Sequence, residues 1–154
     1  MSEEPVLTGT QRAVIDSARR AVLATIGRAG RPRLVPICFS LDPDRPVLYT
    51  PVDEKPKLSD DPLALARVRD IGADPRVTVL VDRWDEDWTR LGWLRGEGTA
   101  EIVLPGSPGP DGPAHTAAVA ALRGRYPQYE THHLEERPLI RIVLEHITEW
   151  GTLA

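Results

Sequence analysis

The residues best suited to chemistry in this sequence are Lys55 and Lys57, separated only by Pro56. They are the only lysines in a chain whose Lys and Arg together number 19. Pro56 biases Lys55 towards extended backbone, and a spacing of two in an extended segment projects both ammonium groups to similar sides. Two ammonium groups so placed suit one polyanion, and a phosphate group fits. The same residues also read as a solvated turn, Asp53-Glu54-Lys55-Pro56-Lys57, whose charges neutralise one another. Arg67 and Arg69 follow on an expected helix. Two helical positions differ by roughly 200°, so only one of them can face a phosphate squarely, and both also fit a solvent face opposite Leu65 and Val68.

Other reactive residue types form no familiar set. Asp82, Asp85, Glu86 and Asp87 alternate with Trp84 and Trp88 but lack the spacing and glycine turn of a calcium loop, so they read as a solvated loop. His132 and His133 are adjacent, without the i, i+4 spacing of a helical zinc site. No metal site is expected. Cys38 lies between Ile37 and Phe39 in an apolar run and reads as an inert thiol. Ser17, Ser40 and Ser59 belong to no nucleophile elbow, and Gly27-Arg28-Ala29-Gly30 is a hairpin turn, not a dinucleotide fingerprint. Tyr49 and Tyr126 are the available proton donors if geometry brings a hydroxyl to a substrate. Two readings survive: a protein whose chemistry comes from a bound cofactor, or a binding module without chemistry.

The elements that must position these residues follow from periodicity. Thr8 to Arg20 carries Val14, Ile15 and Ala18 at helical spacing, with Thr8 or Thr10 as cap. Ala21–Ile26 and Arg33–Leu41 read as a hairpin around the glycine turn, and Val47–Thr50 as a third strand ended by Pro51. Pro62–Ala73 carries Leu65, Val68 and Ile71 on one stripe and reads as a helix. Arg76–Asp82 alternates as a strand, and Trp88–Leu104 is a long β-like stretch whose Gly92, Gly96 and Gly98 permit bulges. After the breaker-rich Pro105–Pro113, His115–Tyr126 reads as a helix and Leu139–Ile147 as a last strand. Strands and helices do not alternate one for one. An antiparallel barrel with flanking helices is therefore preferred to a parallel doubly wound sheet.

Composition narrows the function classes. At 154 residues the chain is sized for one domain, spanning 1–154, and no stretch is apolar enough for a membrane helix. The net charge of −4 gives no electrostatic footprint for nucleic acid. Met1 to Pro5 lack a basic start followed by an apolar run, so a cytoplasmic product is expected. The single cysteine excludes an internal disulfide.

The ordered residues resemble a known family. Ala21–Ile26, Gly30-Arg31-Pro32, Leu34-Val35-Pro36, Tyr49 to Lys57, the Leu65 to Ile71 helix, Asp74 to Val77, Leu80-Val81-Asp82, Asp87-Trp88-Thr89-Arg90-Leu91 and Arg123 to Tyr129 carry the likeness. They are similar to the pyridoxamine-phosphate-oxidase-like split-barrel superfamily, and most to its actinobacterial branch of oxidoreductases that use the deazaflavin coenzyme F420. The resemblance implies a mainly β (α+β) fold, an antiparallel six-stranded split barrel with short flanking helices. It implies a homodimer holding a flavin-like ring in a groove between subunits, with a small-molecule substrate and no membrane or nucleic-acid partner.

By the same resemblance, Lys55 and Lys57 contact the cofactor phosphate, and Arg67 or Arg69 assists the phosphate or an acidic tail. Tyr49, Thr50, Pro51 and Val52 line the ring with backbone groups, Val35 and Pro36 form its floor, and Trp88 and Trp93 help close the site or groove. The sequence departs from that pattern at Asp70, where asparagine is usual, at Gly92, where a second tryptophan is usual, and at Asp60-Asp61-Pro62, where basic residues are usual. Acidic groups there oppose an anionic ligand. The implied activity is hydride transfer between F420 and an electron-poor acceptor. The alternatives are an FMN oxidoreductase of the same fold and a non-catalytic flavin- or deazaflavin-binding protein.

Overall fold

A computed structural model describes residues 3–52, 61, 63 and 65–153. Lys55, Lys57 and Asp60, together with Pro62 at the expected helix start, lie outside the described residues. The element order is α1 (Gly9–Ser17), β1 (Ala21–Ile26), β2 (Pro32–Ile37), β3 (Ser40–Leu41), β4 (Val47–Pro51), α2 (Ala66–Ala73), β5 (Arg76–Arg83), β6 (Gly92–Val103), α3 (Asp111–Arg125) and β7 (Leu139–Gly151). The strands form one antiparallel sheet in the order β2-β1-β5-β6-β7-β4-β3. This is the mainly β half-barrel with three helices that the resemblance implied, with seven strands in place of six.

The seventh strand arises because the run expected as Arg33–Leu41 is cut at Cys38 and Phe39. Phe39 N–H leaves the ladder and donates to the Tyr126 hydroxyl at 3.1 Å, while its ring is fully buried beneath the Arg125 guanidinium, 4.9 Å from the ring centroid. A side-chain acceptor thus replaces a strand partner for that N–H. The helix expected from Pro62 begins only at Ala66. Asp61 Oδ1 accepts from Leu63 N–H at 3.0 Å, a local turn that competes with helical pairing, and Leu65 sits before the helix with extended ψ of 143°. The third helix starts earlier than His115, at Asp111, because Pro113 falls in its first turn, where a missing N–H costs nothing. Asp111 at its start and Arg123 and Arg125 at its end complement the helix dipole. The first helix is closed by Thr8, which forms a capping box with Gln11.

Strand alternation sorts the side chains. Leu23, Val77, Val79, Leu94, Ile140, Ile142 and Leu144 point inward with Leu48 and Phe39, and Val14, Ile15, Val68 and Ile71 of α1 and α2 pack into the same core. On the opposite face, Val47, Tyr49 and Leu139 pack beneath Ala118, Val119 and Leu122 of α3. The outward residues of β2, β1, β5 and the first half of β6 are half-buried or exposed: Val22, Ala24 and Leu80 partly, Leu34 to 63%. The pairing of β6 with β7 shifts register between Glu97 and Gly98, and a Cβ on Gly98 would lie 1.9 Å from the Val143 carbonyl oxygen. The expected glycine-permitted bulge is therefore present, and at Gly98 no side chain fits.

Candidate functional site

The chain joins the two ends of the sheet. β2 is the terminal strand at one end, the short β3 beside β4 is at the other, and only Cys38 and Phe39 separate Ile37 from Ser40. β3 pairs with β4 no further than Tyr49, so beyond Tyr49 the outer edge of β4 has no strand partner among the described residues. Two backbone edges, Val35–Pro36 on β2 and Thr50–Pro51 on β4 after β3 ends, therefore have no strand partner on their outer side among the described residues. An unpaired strand edge leaves backbone donors and acceptors available to another group.

Within that corner the expected residues take distinct roles. Thr50 and Val52 are buried on the core side, with 2% and 0% exposure. Val52 N–H donates to the Pro138 carbonyl at 3.2 Å, and its carbonyl accepts from Arg137 Nε. Pro51 has no N–H to offer. Tyr49 points to the opposite face, towards α3. Its hydroxyl oxygen accepts from Arg141, which also donates to Asp111 Oδ1 at 2.9 Å and to Glu101 Oε1 at 2.7 Å. Burial works against the Arg141 charge, but those three partners outweigh it and hold the guanidinium above its ordinary pKa. Tyr126, the other candidate donor, accepts from Phe39 N–H and donates to the Arg19 carbonyl at 3.1 Å. Both hydroxyls are thus engaged in holding the fold.

Val35 and Pro36 lie on opposite faces of β2 by alternation. Val35 packs on the core and Pro36 is exposed on the outer face, so a shared floor would have to use their backbone. Trp93 stands directly opposite Trp150 in the β6–β7 ladder, with the Arg95 guanidinium 5.2 Å from the Trp93 ring centroid. Trp88 is 70% exposed on a 3₁₀ turn before β6, and Trp84 is 65% exposed just after β5. All four tryptophans of the chain therefore gather at one end of β5, β6 and β7. Sequence periodicity missed Trp150, because the last strand was expected to end at Ile147 and instead runs to Gly151.

Arg67 is half-buried and Arg69 exposed. Asp70, expected to oppose an anion, is instead spent: it is 9% exposed and accepts from Thr25 Oγ1 at 2.8 Å and Arg33 Nε at 2.7 Å. Nothing local in the sequence marks Arg33, because its partner lies 37 positions away. The acidic loop is held by its own contacts, with Trp84 Nε1 donating to Glu86 at 3.0 Å and Asp87 accepting from the Thr89 hydroxyl and N–H, which hold its carboxyl below its ordinary pKa. Among the described residues no group of His, Cys, Asp or Glu is arranged to hold a metal ion, and no helix is long and apolar enough to cross a membrane. Cys38 is half-buried beside Tyr126 and Tyr129 in a cleft of about 440 Å³.

The geometry has parallels among known proteins. The sequence model described as pyridoxamine 5'-phosphate oxidase matches residues 7–151. A conserved hypothetical protein of Mycobacterium tuberculosis is similar in structure, with a TM-score of 0.69 at 20% identity, over 98% of this chain and 89% of that one. An FAD-binding protein of Mesorhizobium loti gives a TM-score of 0.61 at 21% identity over 94% and 93%. A heme storage protein of Vibrio cholerae gives 0.63 at 14% identity over 91% and 90%. At these identities the likeness concerns the fold.

Proposed function

The chain belongs to the pyridoxamine 5'-phosphate oxidase family, and from that premise we propose that it is a homodimeric oxidoreductase using the deazaflavin coenzyme F420. The observation that carries the reading is the pair of backbone edges without an outer strand partner among the described residues, Val35–Pro36 on β2 and Thr50–Pro51 on β4, the second of which leads along the sequence to Lys55 and Lys57. Only Asp53 and Glu54 separate Val52 from Lys55, and three residue steps reach at most about 11 Å along the chain. A ring against the edges and a phosphate at the lysines is the arrangement these residue types suit. The fit is also electrostatic: Asp70 is already neutralised by Arg33, so its carboxylate does not repel an anion there.

The outer face of β2, β1, β5 and β6 supports the dimer. Its outward residues include Val22, Ala24, Leu34, Pro36, Leu80 and Trp93, and α3 covers only the β4 side of the sheet. A second copy of the chain would remove that apolar surface from water and wall the groove, with Trp88 and Trp93 at its rim.

When bound, F420 supplies the hydride. The chain's own residues then bind and orient: Lys55 and Lys57 anchor the phosphate, Arg67 or Arg69 assists the anionic portion, and the backbone of Tyr49 to Val52 flanks the ring. Apolar walls exclude water and strengthen those charged contacts. The substrate is a small organic acceptor.

Separate titrations of the purified protein with F420 and with FMN test the reading. Saturable binding of F420, tighter than FMN, is expected. FMN binding alone would move the assignment to a flavin oxidoreductase of the same fold. Absence of turnover by the F420-loaded protein across a broad acceptor panel would make it a cofactor carrier.

A further inference from the structure

A second basic site lies away from the lysine corner. Arg28 in the β1–β2 turn, Arg33 on β2, Arg69 on α2 and Arg76 at the start of β5 line one open cleft of about 700 Å³. Asp70 and Asp74 are the carboxylates lining the same cleft. Each is matched to one arginine: Asp70 to Arg33 at 2.7 Å and Asp74 to Arg76 at 2.7 Å, the latter pairing holding the Asp74 carboxyl below its ordinary pKa. Arg28 and Arg69 have no ion-pair partner among the described residues. The cleft thus holds a surplus of two positive charges on a chain whose net charge is −4.

Scattered surface arginines on an acidic chain would be expected to find carboxylates. Here two guanidinium groups without an ion-pair partner among the described residues, brought from different elements, share one concavity with two that are held in place by ion pairs. Guanidinium forks match the oxygen geometry of phosphate, and Arg33 and Arg76 keep three N–H groups or more beyond those used by their carboxylates. Arg33 and Arg76 are matched by carboxylates, and Arg28 and Arg69 supply the charge that no described carboxylate matches.

We propose that this cleft is a binding site for a phosphate-bearing small molecule, with Arg28 and Arg69 as its principal charge contacts. The surplus of two charges matches a phosphoryl dianion. The site needs neither Lys55 nor Lys57 and stands whether or not the redox cofactor assigned above is the right one, although Arg69 is common to both.

The test is calorimetric titration with inorganic pyrophosphate at fixed ionic strength, in the Lys55→Gln/Lys57→Gln double variant so that the lysine corner cannot contribute. Saturable binding is expected there, weakened at least tenfold by adding Arg28→Gln and again by Arg69→Gln. Arg90→Gln, which removes a distant surface pair with Asp85, should leave it within twofold. No saturable binding in the lysine variant, or affinity indifferent to Arg28→Gln and Arg69→Gln in folded protein, would overturn the site. Circular dichroism of each variant establishes folding. Flavin or F420 titration of the single Arg28→Gln variant in the wild-type background separates the two sites: cofactor affinity intact there, beside the weakened pyrophosphate binding of the lysine-free variant, isolates this cleft, whereas an equal loss of cofactor affinity would overturn it as a separate site.

Discussion

Asp70 and Arg33 are joined by a 2.7 Å contact between α2 and β2, with the Thr25 hydroxyl donating to the same carboxylate oxygen at 2.8 Å. Thr25 is 2% exposed, so its hydroxyl has no water to fall back on. Asp70→Ala should destabilise the protein by about 1 to 3 kcal/mol, mostly through the stranded hydroxyl, since the half-exposed Arg33 is screened by solvent. Asp70→Asn keeps an acceptor and should cost about 1 kcal/mol. Urea unfolding of both variants checks the order; equal losses would mean the charge matters more than the hydrogen bond.

The lysine corner makes a separate prediction. Lys55→Ala and Lys57→Ala should each weaken cofactor binding by roughly 1.5 to 3 kcal/mol if a charge-assisted bond to phosphate is lost. Fluorescence titration reads this directly. Unchanged affinity in both variants would remove the anchor.

At Gly98 the effect is steric. Gly98→Ala places a methyl group 1.9 Å from the Val143 carbonyl oxygen, so one strand must move. A loss of about 3 kcal/mol or more is expected, in the range of severe overpacking. Gly124→Ala, where nothing lies within 4 Å of the added carbon, serves as the comparison and should be neutral or stabilising in its helix. Thermal melts of the pair decide it.

The uncovered sheet face yields the fourth test. Leu34 is 63% exposed in the monomer, so Leu34→Glu costs the monomer little. In a dimer built on that face it buries a charge, and sedimentation velocity should show a shift to monomer. A variant that stays as associated as the parent would move the interface elsewhere.

Much of the fold was legible because its signals are local. The alternation of Val77, Val79 and Val81, the Thr8 cap and the glycines of β6 each dictate structure within a few residues. What escaped depends on distant partners. The break at Phe39 is set by Tyr126, 87 positions on, and the role of Asp70 by Thr25 and Arg33. The late start of α2 was hidden by an apolar stripe that begins one residue before the helix does, at Leu65. Of the candidate site, the β4 corner and the lysine pair could be read as neighbours along the chain. The placing of β2 and of the β3–β4 pair at opposite ends of the sheet could not, because strand order is set by pairings between residues far apart in sequence.

The gathering of Trp84, Trp88, Trp93 and Trp150 at one end of the sheet has an optical corollary. Emission excited at the red edge of indole absorption originates from that end alone, so the α3 side is spectroscopically dark. Any event that wets or shields those indoles, such as subunit exchange or ligand seating beneath them, carries its own label and needs no dye.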